Sequence, residues 1–209
     1  MRSRRSILIV VIVIAVIVVL VAGYNILRRP AMFRNLTDQS LSAEETEELR
    51  SEIAAREDKQ ILVAYFSYSG TTRGVAEALS EQTGADLFEI SPQEEYGNVY
   101  LQSNREIRNG ARPALSDTVE NMDQSDSVFV GYPVWWHATP APVNTFLESY
   151  DFTGKLVIPF CTSGGSDIDE TMPTLLDSCR DMAIYGERRL SSTGQIDGWL
   201  TDLDLNLVP

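Results

Sequence analysis

Four short, mostly apolar runs constrain the fold of this chain more than any other feature of its sequence. They cover residues 60–66 (QILVAYF), 86–90 (DLFEI), 127–131 (SVFVG) and 155–161 (KLVIPFC). Strands that are apolar along their whole length, rather than at alternate positions, are typical of parallel sheets covered on both faces. The runs therefore predict buried parallel strands.

The segments around these runs have the spacing of helices. We predict helices over 73–83, 96–108, 115–122, 142–150, 168–182 and 195–203, and a last strand within 183–189. Strands that alternate with helices are connected by crossovers, which build a parallel sheet between two helical layers. The sequence thus predicts an α/β, doubly wound fold of about five parallel strands with helices on both faces.

A long uncharged segment precedes this pattern. Residues 6–27 are 22 residues without a charge, with three arginines before them and two directly after them. A helix of this length reaches roughly 33 Å, which is enough for a hydrocarbon core of about 30 Å. We predict that residues 1–30 form one transmembrane helix. A cleaved signal peptide is the alternative, although its apolar region is usually about 7–15 residues long.

The positive-inside rule decides the orientation of this segment only narrowly. Three arginines lie before it and three lie between residues 28 and 34. The amino terminus adds one more positive charge on the N-terminal side. This slight excess favours a cytoplasmic N terminus and an extracytoplasmic soluble domain.

Residues 31–59 are predicted to be an acidic tether between the anchor and the domain. Ser42 followed by Glu45 is a capping-box pattern, which indicates a helix start. Leu49 and Ile53 give this helix only a thin apolar stripe. The segment is either a short exposed helix that spaces the domain from the membrane or a disordered acidic linker.

The charge and the cysteine count exclude several classes of protein. Residues 35–209 hold 11 basic and 30 acidic residues, a net charge of −19, and the whole chain carries −13. Such a body repels nucleic acids, so we expect no nucleic-acid partner. Two cysteines and one histidine are too few for a Cys/His zinc cluster or an iron–sulfur cluster, so we expect no metal.

The loop after the first predicted strand is rich in hydroxyl groups. Residues 67–72 (SYSGTT) contain four Ser or Thr side chains and a glycine directly before a predicted helix. Backbone N–H groups and the helix dipole make such a position suitable for phosphate. The loop lacks the lysine of a P-loop and the GxGxxG pattern. It suits a terminal phosphomonoester, and a plain N-cap turn is the alternative.

Two further loops follow the third and fourth strands. Residues 132–140 (YPVWWHATP) contain adjacent tryptophans, which suit a flat ring or, alternatively, pack against the next helix. Residues 162–166 (TSGGS) contain two glycines that let the backbone approach a ligand closely. Ligands bind at the carboxyl ends of parallel strands, so the three loops should converge. A phosphate cradle, an aromatic platform and a backbone donor edge are what flavin mononucleotide (FMN) requires.

Three stretches resemble the flavodoxin family, in particular its branch with a Trp-Trp pair and a Thr-Ser-Gly-Gly loop. They are ILVAYFSYSGTTRGVAEAL, VGYPVWWHATPAPVNTFLESYDFTGK and PFCTSGGSDID, and the resemblance covers residues 60–203. It implies a flavodoxin-like domain over residues 60–209, a five-stranded parallel sheet of order 2-1-3-4-5 and non-covalently bound FMN. The membrane anchor departs from the usual soluble members.

The resemblance also implies which residues bind FMN. The phosphate loop is Ser67, Ser69, Gly70, Thr71 and Thr72. The residues flanking the isoalloxazine ring are Pro133, Val134, Trp135 and Trp136, and those along its pyrimidine edge are Thr162, Ser163, Gly164 and Gly165. No residue is assigned a catalytic role, because the cofactor carries the redox chemistry.

The remaining reactive residues give weaker predictions. His137 either protonates a substrate quinone, contacts the flavin or has no special role in an exposed loop. A hydrolase is disfavoured because no GxSxG pattern occurs in the sequence. Cys161 and Cys179 are expected to be buried free thiols, and a disulfide is the alternative if the domain lies outside the cytoplasm.

Three functions remain at this stage. The first is a membrane-tethered flavodoxin-like carrier that transfers electrons between redox partner proteins. The second is an FMN-dependent NAD(P)H:quinone or small-molecule oxidoreductase. The third is a non-redox interaction module that has lost FMN. The absence of a recognisable nicotinamide-nucleotide motif from the sequence favours the carrier.

Overall fold

The apolar runs form the first four strands of one parallel sheet in a computed structural model that describes residues 2–208. The strands are β1 Ile61–Tyr65, β2 Asp86–Glu89, β3 Ser127–Pro133, β4 Leu156–Thr162, β5 Ala183–Ile184 and β6 Arg188–Arg189. The α-helices are α1 Arg2–Arg28, α2 Ala43–Ala54, α3 Thr71–Thr83, α4 Val99–Asn109, α5 Ala141–Glu148, α6 Met172–Leu176 and α7 Ile196–Leu203. Short 3₁₀ turns lie at Pro30–Phe33, Met122–Gln124, Ile168–Glu170 and Thr193–Gln195.

The strand order confirms the predicted topology. The sheet runs β2-β1-β3-β4-β5, and β6 pairs with β4 beyond β5's short ladder. Every pairing between these strands is parallel. Tyr65 is level with Gly131, and Pro133 is level with Thr162. The loops that leave β1, β3 and β4 therefore start side by side at one edge of the sheet.

Both faces of strands β1, β3 and β4 are buried under helices, as predicted, whereas the edge strand β2, which was also predicted to be buried, is exposed at Asp86 and Leu87. On one face, Phe129 and Ile158 pack with Trp199 of α7, and α3 adds further apolar residues to this layer. On the other face, Val130 packs with Phe146 of α5. Successive residues of a strand point to opposite faces, so a strand between two helical layers must be apolar at every position.

Two helix predictions are wrong: one predicted helix is absent and the other is much shorter than predicted. Residues 115–122 are not helical, and Leu115 instead forms an isolated bridge with Pro92. The Ser, Asp and Thr residues that follow Leu115 favour turns over a helix. The helix predicted over 168–182 is reduced to a 3₁₀ turn and the five residues of α6. The chain then turns away at Asp181, whose φ is +56° and whose N–H bonds to the Gln39 carbonyl.

The segment between α1 and the sheet packs on the fold, contrary to the exposed spacer that its composition predicts. The capping box is present, because the Glu45 N–H donates to Ser42 Oγ and the Ser42 N–H donates to the Glu45 carboxylate. Ile53 of α2 is fully buried in the same core layer as Trp199. The Leu41 N–H also bonds to the Met182 carbonyl at 2.9 Å. Ile53 therefore docks this acidic helix on the core, together with the half-buried Leu49 and Ala54.

Helix α1 has the length and composition of a membrane span. Its segment Ile9–Arg28 comprises 20 residues with a mean hydropathy of 3.0, and none of it is buried against the rest of the structure. A signal sequence near an N terminus has the same properties. The α1 helix therefore agrees with the predicted segment, but both alternatives remain open.

Candidate functional site

A pocket of about 530 Å³ lies where the loops after β1 and β3 meet α4. This volume is within the range of small-molecule and cofactor sites. Four of the predicted FMN-binding residues line it: Ser69, Val134, Trp135 and Trp136. The other lining residues are Arg28, Tyr68, Val99, Tyr100, Ser103, His137 and Ser166. The remaining predicted residues lie outside this lining, either on the loops after β1 and β4 or at the adjoining ends of α3, β3 and β4.

The loop after β1 presents donors at the start of α3. Gly70 is the N-cap residue, and its φ of +89° is a conformation that glycine adopts without strain. The Arg73 N–H is satisfied by Ser67 Oγ at 3.2 Å. In the described part of the chain, the N–H groups of Thr71 and Thr72 have no acceptor. These N–H groups at a helix N terminus are suited to an anion.

The hydroxyl groups of this loop differ in their surroundings. Ser69 and Thr71 are exposed, and their hydroxyls lie 3.4 Å apart. Thr72 is buried, and its hydroxyl lies 2.8 Å from the hydroxyl of Thr162 at the end of β4. The Thr72 and Thr162 side chains therefore bond to each other beneath the site. Sequence reasoning predicted ligand contacts for both and missed this link.

The loop after β3 makes a strained turn. The Trp135 N–H bonds to the Ala138 carbonyl, and the Ala138 N–H bonds back to the Trp135 carbonyl. The two central residues, Trp136 and His137, have φ of +53° and +58°. Such turns favour glycine or asparagine, and other residues there cost of order 1–3 kcal/mol. Because Trp136 Nε1–H donates to Ser103 Oγ at 3.0 Å, a tertiary contact helps hold this conformation.

Trp135 forms the centre of an aromatic cluster that makes one wall of the pocket. Its ring meets those of Phe66, Tyr68 and Tyr96 edge to face, with centroids 5.1, 5.9 and 5.3 Å away. This geometry is favourable for aromatic pairs and orients the indole. Trp135 therefore packs against its neighbours while it also lines the pocket. Tyr68, which is 55% exposed, extends the wall toward solvent.

The loop after β4 is held next to the tryptophan loop. The Val134 N–H donates to the Thr162 carbonyl at 3.0 Å. Ser163 Oγ accepts the N–H groups of Gly165 and Ser166 at 3.1 and 2.9 Å, which closes a tight turn. Ser163, Gly164 and Gly165 lie on this turn, and Ser166 reaches the pocket.

His137 has an acidic partner that sequence reasoning missed. Its Nδ1 hydrogen-bonds to the Glu170 carboxylate, and Ser166 Oγ lies 3.3 Å from the same nitrogen. Arg29 Nη2, just after α1, lies 3.5 Å from Glu170 Oε2. Desolvation raises the pKa of Glu170, but the hydrogen bond and charge of His137, together with hydrogen bonds from Asp167 and Ser166, lower it below its ordinary value. His137 is therefore oriented at the pocket wall rather than free in a loop.

Other reactive groups near the sheet are deeply buried. Cys161 and Cys179 are free thiols, as predicted. Burial raises the pKa of the Cys161 thiol to about 12 and raises that of Tyr132 above its ordinary range. Among the described residues, no group of His, Cys, Asp and Glu is arranged to hold a metal ion.

A family model described as flavodoxin matches residues 60–202 of the chain. A protein from Bacteroides eggerthii described as a flavoprotein has a similar structure, with a TM-score of 0.65 and 37% identity over 70% of this chain and 98% of its own. A flavoprotein from Bacteroides uniformis has a TM-score of 0.64 and 33% identity over 69% of this chain and 99% of its own. A flavoprotein from Lactobacillus acidophilus, solved in complex with FMN, shares the fold at 23% identity and a TM-score of 0.56, over 68% of this chain and 99% of its own. No curated protein matches this chain significantly.

Proposed function

This chain belongs to the flavodoxin family, and on that premise we propose that it binds FMN non-covalently and transfers electrons beside a membrane to which α1 anchors it. The observation that carries the proposal is the meeting of two features at one sheet edge. Unpaired N–H donors lie in the first turn of α3, directly after the loop that follows β1. An aromatic-walled pocket of about 530 Å³ adjoins that loop. When bound, FMN supplies the electron transfer itself.

The phosphate group of FMN is assigned to the loop after β1. The N–H groups of Thr71 and Thr72 and the exposed hydroxyls of Ser69 and Thr71 form a neutral donor set. Ser67 supports the loop by accepting the Arg73 N–H. A neutral cradle with a helix dipole suits a phosphomonoester that is held and not transferred.

The isoalloxazine ring is assigned to the pocket between the tryptophan loop and α4. Trp135 and Trp136 supply flat apolar surface, and Pro133 and Val134 hold the loop at the end of β3. The pyrimidine edge is assigned to residues 162–165, whose glycines allow close approach of the backbone. The L. acidophilus flavoprotein has the same fold and was solved in complex with FMN, which supports FMN as the cofactor proposed here.

The membrane tether is supported by α1 alone. Ile9–Arg28 has a mean hydropathy of 3.0 and is not buried, and it ends just before the 3₁₀ turn at Pro30–Phe33. Anchoring predicts that the mature chain retains these residues and resists extraction from membranes at alkaline pH. A cleaved signal peptide predicts a mature chain that begins after them, which the intact mass of the purified protein detects. We place the domain on the extracytoplasmic side, following the narrow charge difference across the segment.

A specific observation supports a quinone reductase as the second candidate. Arg28, the last residue of α1, lines the same pocket as the Trp pair. A membrane-dissolved quinone would therefore have a short path to the flavin. The loss of FMN in a non-redox module is less well supported, because packing alone does not require unpaired donors beside an open aromatic pocket.

One anaerobic experiment separates carrier from reductase. The full chain, purified in detergent and loaded with FMN, is mixed with NADPH or NADH and then with a quinone. A carrier keeps its oxidised flavin spectrum until a protein reductase is added. Direct bleaching by the nicotinamide followed by recovery on adding quinone would replace the carrier by the reductase.

A further inference from the structure

Helix α4 carries an exposed stripe of one leucine and two arginines. Leu101, Arg105 and Arg108 are spaced i, i+4 and i+7, so they lie on one face of the helix. Leu101 is 73% exposed, and both arginines are exposed as well. Tyr100 beside them is also 73% exposed and lines the mouth of the pocket. We call Leu101, Arg105 and Arg108 the α4 stripe.

The arginines of the α4 stripe are exposed to solvent. Within residues 2–208, neither Arg105 nor Arg108 forms an ion pair or a side-chain hydrogen bond, although the chain has 30 acidic residues. By contrast, Arg112, one turn further on, pairs with Glu148 at 2.7 Å. Arg105 and Arg108 therefore keep their donors available for an anionic partner outside the chain.

The α4 stripe lies next to the end of the membrane helix. Asn104, which is between the stripe residues on α4, donates from Nδ2 to the Leu27 carbonyl at 2.6 Å. Leu27 is in the last turn of α1, and α1 leaves the domain from this point. A bilayer that surrounds α1 up to Leu27 would reach the surface of α4 at Asn104.

We propose that the α4 stripe is seated in the headgroup layer of the bilayer that α1 spans, with Leu101 below the phosphates and Arg105 and Arg108 bonded to anionic ones. This inference rests on the membrane tether of the proposed function and adds the orientation of the domain. Exposed apolar and aromatic residues next to arginines are the composition of interfacial helices. The mouth of the pocket, at Tyr100 and Arg28, then opens at the membrane surface.

The charge of the molecule explains why a local basic stripe is needed. A chain with a net charge of −13 is repelled by anionic lipid as a whole. Screening confines this repulsion to about 10 Å, so arginines in contact with phosphates act more strongly than distant carboxylates. Without the stripe, the domain would be free to tilt away from the bilayer on its anchor.

The test measures the depth of the α4 stripe in vesicles that carry the full chain. Leu101→Cys is labelled with an environment-sensitive fluorophore and reconstituted in phosphatidylcholine vesicles containing phosphatidylglycerol. A spin label on the lipid acyl chain just below the headgroup is the quencher. Leu87→Cys is the matched control, because Leu87 is also an exposed leucine and lies on β2 instead of α4.

We expect the label at residue 101 to be quenched at least about threefold more than the label at residue 87. Arg105→Glu with Arg108→Glu should reduce that quenching at least about twofold. Lys59→Glu with Arg188→Glu, which changes the net charge equally in the loop before β1 and on β6, should leave it unchanged.

Two results would overturn the inference, and they are distinguishable. If the protein floats with the vesicles but both labels are quenched equally, the tether stands and the seating of α4 is wrong. If the protein does not float with the vesicles, the tether is wrong and the seating fails with it.

Discussion

The hydroxyl oxygens of Thr72 and Thr162 lie 2.8 Å apart in the interior of the protein. Thr72 is in the first turn of α3 and Thr162 is the last residue of β4. Because both residues are buried, this bond fixes the start of the donor loop against the end of a core strand. Two of the three proposed FMN loops are thus aligned before a ligand arrives, which reduces the ordering cost of binding.

Breaking this pair should show strong coupling between the two residues. Thr72→Val or Thr162→Val alone leaves one buried hydroxyl without its partner and should lower the free energy of unfolding by about 1–3 kcal/mol. The double variant removes both hydroxyls and should cost less than the sum of the single changes. Urea unfolding of the four proteins measures the cycle, and additive losses would contradict the bond's role.

Removing the exposed hydroxyls of the donor loop should weaken FMN binding without loss of stability. Ser69→Ala with Thr71→Ala deletes two groups assigned to the phosphate, each worth roughly 1.5–3 kcal/mol if charge-assisted. Ser116→Ala with Thr118→Ala is the matched control, since it changes the same exposed pair at the same spacing. Fluorescence titration with FMN gives both affinities. Equal FMN affinities in the two double variants would show that this loop does not bind the phosphate.

Glu170 should contribute stability that depends on pH. Its folded pKa lies below the ordinary value, because desolvation, which raises the pKa, is outweighed by the combined interactions with His137, Asp167 and Ser166. A lowered carboxyl pKa stabilises the fold above the unfolded pKa, and this contribution is lost as pH falls through the folded pKa. The stability difference between the parent chain and Glu170→Gln should therefore be largest near neutral pH and shrink in acid. The exposed Glu81→Gln should show no such trend in the same unfolding series.

Gly131 of β3 should not tolerate a methyl group. A Cβ at this position would lie 2.2 Å from Cζ of the buried Phe160 ring. Overpacking of this kind typically costs about 1–3 kcal/mol, so Gly131→Ala should lower the unfolding midpoint. Gly198→Ala in α7 is the control, because no neighbouring atom lies within 4 Å of its Cβ. Phe160→Leu should partly restore the stability of Gly131→Ala, and a failure to do so would place the strain elsewhere.

The two cysteines should be inert in the folded protein. Cys161 is fully buried, and burial raises the pKa of its thiol to about 12. Burial also raises the pKa of Cys179 above its ordinary range. Iodoacetamide at mildly alkaline pH should modify neither until urea unfolds the chain, because the thiolate is the reactive form. Modification of the native protein, followed by mass spectrometry, would contradict this burial.

The sheet could be predicted because burial on both faces leaves a direct mark on the sequence. Residues 127–131 show no alternation of polar and apolar residues, which is typical of a strand buried on both faces. The observed strand β3 is only two residues longer than predicted and ends at Pro133. Likewise, the glycine and hydroxyl residues before α3 indicate a helix start with free donors. Both signals are local, so a single chain is sufficient to find them.

The missed features depend on contacts between distant residues. Glu170 meets His137, and Arg28 meets the pocket, only after the chain has folded, and nothing near either residue in the sequence indicates it. The docking of α2 depends on Ile53 together with the half-buried Leu49 and Ala54, and in the sequence this apolar stripe looks too thin to hold an acidic helix. The strained turn at Trp136 was also invisible, because its sequence lacks the glycine or asparagine typical of such turns.

FMN binding by this chain is tested most simply by asking whether the purified protein retains FMN. The full chain, purified in detergent, is incubated with excess FMN and desalted, and its visible absorption spectrum is recorded. We expect flavin bands at close to one FMN per chain, and their loss in Ser69→Ala with Thr71→Ala but not in Ser116→Ala with Thr118→Ala. A folded protein that is colourless after desalting would show that this chain does not bind FMN.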